Sequence, residues 1–239
     1  MAVGTLTTVP VPAPRVIDRR VAGGAMVLAP LAAVPLAAVA GLVVAGGIAL
    51  GLPRIAIAAL ALGAVALGSR GLHLDGLADT ADGLGASYDR AKALDVMRRG
   101  DSGPTGVATL VFVLLVQVGA LSQAGHPITA VVVSVLVGRC TLSMACARGV
   151  PSARPEGLGA TVAGSVSRTV AAGIAVAAAL ASALIPGTAW WRGPLAVAIA
   201  YVVAAALLAR CTRRLGGVTG DVLGAGVEVA VAASLIALA

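Results

Sequence analysis

What this chain lacks narrows its class before any motif is read. Aromatic residues make up 2% of its 239 residues: one Phe, two Tyr and two Trp. Few rings are left for bases to stack on, so nucleic-acid binding is set aside despite the net charge of +7. Cys140, Cys146 and Cys211 are the only cysteines. An odd, dispersed set in apolar surroundings gives neither a disulfide framework nor a zinc site, and the three read as packing residues. Charge is scarce as well, 11% against 59% apolar, and residues 21–53, 102–138 and 169–191 hold no Asp, Glu, Lys or Arg. Walker A, HExxH and Ser–His–Asp arrangements are missing too.

What remains is long apolar sequence with a mean hydropathy of +1.01. Charge-free runs of eighteen or more residues read as membrane-spanning helices. The expectation is a single all-α integral membrane domain over 1–239, with the lipid bilayer as partner. About seven spans are expected, at 26–50, 55–68, 104–124, 128–147, 169–188, 194–209 and 222–239. Pro30 and Pro35 should kink the first. The apolar run after Arg15, Arg19 and Arg20 is too long for a signal peptide, and residues 1–25 read as a surface segment. Polar loops fall at 70–103, 147–168 and 210–220. Of seventeen basic residues, fourteen lie on the N-terminal side, Arg54 and Arg192 on the other, and Arg139 within a span. That bias puts the N-terminus and the three loops in the cytoplasm of a cell with this protein in its plasma membrane.

The densest chemistry lies in GLHLDGLADTADGLG at 71–85. If helical, its offsets of four and three place Asp75, Asp79 and Asp82 within about 60° on one face. Two like charges about 4 Å apart repel by roughly 4 kcal/mol at an effective dielectric near 20. Such a face calls for a cation, and three hard oxygen ligands suit Mg²⁺, with Mn²⁺ as substitute. A solvated acidic turn is the plainer alternative.

Other residues point to the same mouth. Asp221 and Glu228 are seven apart on one helix face, and a carboxylate inside a span is a functional hypothesis. Arg139 and Glu228 lie at matched depths of about 13 and 12 Å from the rise per residue, as an ion pair or with Arg139 on a substrate phosphate. Arg70, Arg90, Lys92, Arg98, Arg99, Arg154 and Arg168 could fork onto phosphate or serve topology alone. His73 is a phosphate donor, a base or a histidine with a backbone partner. Residues 86–103 form an amphipathic interfacial helix or a lid. Metal-assisted phosphoryl or diphosphate transfer needs little more than these parts.

GLHLDGLADTADGL closely resembles the signature of the cobalamin synthase (adenosylcobinamide-GDP ribazoletransferase) family. TLTTVPVPAP near the start, ARPEGLG at 153–159 and GGVTGDVLGAGVE at 216–228 resemble its other segments. One departure is Arg99, where the family pattern carries an acid two residues after the methionine at 97. Asp101 follows two places later, and a metal role for it stays secondary. The resemblance implies that α-ribazole or its 5′-phosphate attacks adenosylcobinamide-GDP and releases GMP. Mg²⁺ would be held by Asp75, Asp79 and Asp82. Asp221, with Glu228, would hold a second metal or orient the alcohol, and His73, Arg98, Arg99, Arg139 and Arg154 would contact substrate. Partners would include a second copy or other cobalamin-assembly enzymes. Two further classes share such parts. One is an alcohol phosphotransferase or prenyltransferase with an aspartate-rich motif. The other is a cation transporter, which the absence of a repeated acidic motif does not favour.

Overall fold

The computed structural model describes residues 1–12, 16, 18–185 and 188–239. Arg15 of the expected surface segment lies outside them, as do residues 186 and 187 near the end of the fifth expected span. The described residues form helices joined by short turns, with two isolated β-bridges and no strand among them. The all-α membrane bundle is therefore borne out.

The N-terminal segment holds α1 (Ala2–Leu6) and α2 (Arg19–Val27). Asp18 caps α2 by accepting from the Val21 N–H at 2.7 Å. The expected first span is broken where its prolines fall. Pro30 opens α3 (Ala29–Ala32) and Pro35 opens α4 (Val34–Ala49), each within the first two positions, where a missing N–H costs nothing.

Helix α5 (Arg54–Gly68) ends in two consecutive left-handed residues, Arg70 at φ 58° and Gly71 at φ 67°. Glycine adopts that region freely, whereas Arg70 is held there by a 2.8 Å bond from its Nη2 to the Gly4 carbonyl. The chain turns through 90° into α6 (Leu72–Ala86), so α6 crosses the end of the bundle instead of extending α5. The acidic stretch is thus helical, and the expected 70–103 loop contains two helices, α6 and α7 (Arg90–Val96).

Among the described residues, four helices are long and apolar enough to span: α8 (Pro104–Gln123), α9 (Pro127–Ala145), α12 (Arg192–Leu215) and α13 (Gly220–Leu238). The bent α5–α6 pair would be a fifth. The expected count of seven exceeds this because α4, α5 and α11 (Arg168–Ala183) have 16, 15 and 16 residues, short of the ~20 that cross a bilayer core. Helix α12 runs six residues past its expected end at 209, so half of the expected 210–220 loop is helical. Helix α10 (Leu158–Val162) interrupts the 147–168 loop.

Helices α9 and α13 are the most buried of the long helices and form the centre of the bundle. Helix α6 lies against the start of α13 with almost no side-chain layer between them. A Cβ on Gly76 would fall 2.7 Å from the Asp221 carbonyl oxygen. That contact fixes the acidic helix beside Asp221.

Candidate active site

Three separated stretches meet at one cleft of about 270 Å³ at the end of the bundle. Helix α6 contributes Leu72, His73 and Asp75; the 147–168 loop gives Arg154, Glu156 and the residues to Gly159; the turn into α13 gives Val218–Asp221. Leu6, Met26 and Leu142 close its apolar side. The loop and the turn are tied backbone to backbone: Ala153 N–H donates to Val218 O at 3.0 Å and Val218 N–H to Pro151 O at 2.9 Å. The same stretches carry the family resemblance.

Asp221 sits in the first turn of α13, where the helix N-terminus favours a carboxylate. Thr219 caps this helix by accepting from the Val222 N–H, and its own hydroxyl donates to Asp221 Oδ2 at 3.1 Å. Arg154 Nη1 lies 3.8 Å from the same oxygen, while Arg154 Nη2 donates to the Leu94 carbonyl at 2.9 Å. Arg154 is thereby anchored with donors to spare beside the cleft.

Asp75 is exposed on the cleft wall and Asp79, one turn on, is buried. Burial, followed by the charges of Asp75, Asp221 and Asp82, pushes the Asp79 carboxyl up to about 6 against the opposing pull of Arg154. The acidic face is short of positive charge. Among the described residues no three His, Cys, Asp or Glu side chains stand together in ligand geometry.

Asp82, the third carboxylate of the expected set, is engaged by backbone N–H groups. Its oxygens accept from the Gly103 N–H at 2.7 Å and the Gly106 N–H at 2.8 Å, two of the unpaired donors at the start of α8. A Cβ on Gly106 would collide with this carboxylate. Asp82 thereby ties α6 to α8. Asp82→Ala should lower stability by about 1–3 kcal/mol, since it strands two donors. Thermal unfolding of the purified protein measures it, and an unchanged midpoint would contradict the tie.

The structure also redistributes the arginines. Arg98 and Arg99 are exposed and do not line the cleft; Arg98 pairs at 3.5 Å with Glu156, which does, and Arg99 pairs at 2.7 Å with Asp95, which does not. Arg99 holds the Asp95 carboxyl below its ordinary range. Arg139 does not line the cleft: it is 1% exposed, and its Nη2 meets His73 Nδ1 at 3.2 Å. Among the described residues it has no ion pair with Glu228 within the 4.0 Å of a salt bridge. Glu228 instead accepts from Gln117 Nε2 at 2.8 Å. Asp101 is exposed and unconnected to the cleft.

Sequence reasoning missed Glu156 on the cleft, Gln117 behind it and the arginines that read carbonyls. Arg90 Nη2 donates to Ala153 O at 3.0 Å and Arg214 Nη2 to Ser87 O at 2.8 Å, with the Arg214 guanidinium 4.2 Å above the Tyr88 ring. The first bond pins the 86–97 segment to the 147–168 loop, and the second ties it to α12. Glu156 was legible only as part of the ARPEGLG resemblance.

Fold and site together define a polytopic helical membrane protein with an acidic, arginine-flanked cleft at one end of its bundle. A family model described as cobalamin-5-phosphate synthase matches residues 1–239. A relative from a Nocardioides species, named adenosylcobinamide-GDP ribazoletransferase, is 48% identical over 239 residues, covering 100% of this chain and 96% of its own. One of the same name from Frankia casuarinae is 40% identical, over 98% and 91% of the two chains. Another, from Pseudomonas savastanoi, is 37% identical over 71% and 69%. No solved structure matches. The chain belongs to the cobalamin-5-phosphate synthase family.

Proposed function

We propose that this protein joins adenosylcobinamide-GDP to α-ribazole or its 5′-phosphate, giving adenosylcobalamin or its 5′-phosphate and GMP. The observation that carries this is the convergence of the three resembling stretches on one cleft. In the transfer, a ribose hydroxyl oxygen bonds to the cobinamide-side phosphorus. The bond from that phosphorus to the bridging oxygen breaks, and the bridging oxygen leaves with GMP. Arg154, anchored on Leu94 O, offers its free N–H groups to the diphosphate. Asp221, held by Thr219 and Arg154, orients the hydroxyl and receives its proton. The apolar wall of Leu6, Met26 and Leu142 keeps water from the phosphorus.

Asp75 and Asp79 are the residues that would hold Mg²⁺ or Mn²⁺, which would neutralise charge on the diphosphate oxygens. Crowded carboxylates with one of them raised to about 6 support that assignment. The arginine bias supports a plasma-membrane protein whose N-terminus and cleft face the cytoplasm.

A raised carboxyl stabilises the fold while protonated. For Asp79 that contribution is present below the ordinary carboxylate range and is lost as pH rises through about 6. A divalent cation competes with the same proton. Apparent Mg²⁺ affinity should therefore be flat above pH 7 and weaken by up to about tenfold per pH unit below 6. Titrating Mg²⁺ against GMP release between pH 5 and 8 measures it, and equal affinities at both ends would contradict it.

The reaction class is tested by offering purified, lipid-supplied protein three substrates: adenosylcobinamide-GDP with α-ribazole, CDP-diacylglycerol with an alcohol, and a prenyl diphosphate. GMP release with the first alone is expected. Turnover of either of the others in its place overturns the proposal.

A further inference from the structure

Among the described residues, His73 is held on one ring nitrogen and unpartnered on the other. Its side chain is 2% exposed, lies in the first turn of α6 and lines the cleft with Asp75. Behind it, Arg139 Nη2 stands 3.2 Å from His73 Nδ1. A guanidinium carries donors and no acceptor, so Nδ1 must accept and the ring proton resides on Nε2. A second proton on Nδ1 would set N–H against N–H. Arg139 is itself held, with Nη1 on the Val135 carbonyl at 3.4 Å. His73 Nε2 is buried and has no hydrogen-bond partner among the described residues. A buried donor without an acceptor destabilises the protein that carries it, and a ligand oxygen would satisfy it.

Resting on the transfer reaction proposed above, the geometry points to His73 Nε2–H as a hydrogen-bond donor to a phosphate oxygen of the diphosphate substrate. Arg139 is the positioning residue that fixes the tautomer. This separates the three roles left open by the sequence. A general base would need its lone pair on Nε2, where Arg139 places the proton. A backbone partner is absent among the described residues, since the only bond from the ring goes to Arg139. With Nδ1 on Arg139 and a proton on Nε2, the imidazole has no lone pair to offer a cation, which leaves that role to carboxylates. Anchoring charge deep in the bundle thus sets the hydrogen-bonding sense of a residue at its mouth.

The chain has two histidines, His73 and the exposed His126 before α9. Uniform ¹⁵N-histidine labelling therefore gives two ring systems, and the variant His126→Gln assigns them. The expected spectrum shows His73 protonated at Nε2 and bare at Nδ1. Its Nε2 resonance should move when adenosylcobinamide-GDP is added without α-ribazole. In turnover, His73→Gln carries an amide N–H toward the Nε2 position and should stay within about tenfold of wild type. His73→Asn, too short to reach, should lose roughly 10- to 100-fold. An Nδ1-protonated ring, or equal losses in the two variants, overturns the inference. So does an Nε2 resonance that ignores substrate while wild-type protein releases GMP. A wild-type protein that releases no GMP overturns the proposed function instead, and the ring spectrum still judges the Arg139–His73 arrangement by itself.

Discussion

Asp79→Asn is expected to cut GMP release by at least about a thousand-fold, because metal-borne charge stabilisation is worth several kcal/mol. Asparagine keeps the side chain's shape and one oxygen, so packing against the neighbouring turn survives. What it removes is the charge that, in the proposed site, would share a cation with Asp75. The same change relieves repulsion. Asp79 is pushed up to about 6 by burial and by Asp75, Asp221 and Asp82, so its ionised form strains the metal-free protein. The variant should therefore unfold no earlier than wild type at pH 8 without metal. Lost turnover with retained stability separates a ligand from a structural residue. Turnover within tenfold of wild type, measured as GMP per enzyme at saturating Mg²⁺, would remove Asp79 from the site.

Glu228→Gln is expected to cost stability, because Arg139 loses a nearby buried counter-charge that it does not contact directly. The cost should be less than the about 3–5 kcal/mol of a broken buried ion pair. Arg139 and Glu228 are 1% and 7% exposed and line one small internal cavity together with Gln117. Glutamine can still bond to Gln117, so the loss reports the charge and not the hydrogen bond. Pairing it with Arg139→Met should recover a large part, since both charges are then gone. Unfolding in mixed micelles reads the effect. A single variant as stable as wild type would show that the two charges are not coupled across this cavity.

These expectations also mark what could be read from the sequence. The acidic helix was legible because offsets of four and three coincide with helical periodicity. The breaks at Pro30 and Pro35 were legible because a ring without an N–H has only a few places in a helix. Matched depths for Arg139 and Glu228 followed from the rise per residue. What each of them bonds to did not, because helix rotation decides it, and rotation turned Arg139 to His73 and Glu228 to Gln117. Asp82 illustrates the same limit. Its partners Gly103 and Gly106 lie 21 and 24 residues on, so nothing in the acidic motif distinguishes a tie from a ligand. Charge-free runs give more spans than helix length alone admits, because turns such as that at Gly71 shorten the helices within apolar sequence. Arginines assigned to topology or phosphate proved in part to be carbonyl donors, a role that composition does not reveal.

The most direct measurement is GMP release by purified, lipid-supplied protein given adenosylcobinamide-GDP, α-ribazole and Mg²⁺, before and after EDTA. The account predicts GMP and the cobalamin product in equal amounts, loss of both under EDTA, and their return with excess Mg²⁺. Release that continues undiminished under EDTA, or a folded protein that makes no product, would contradict it.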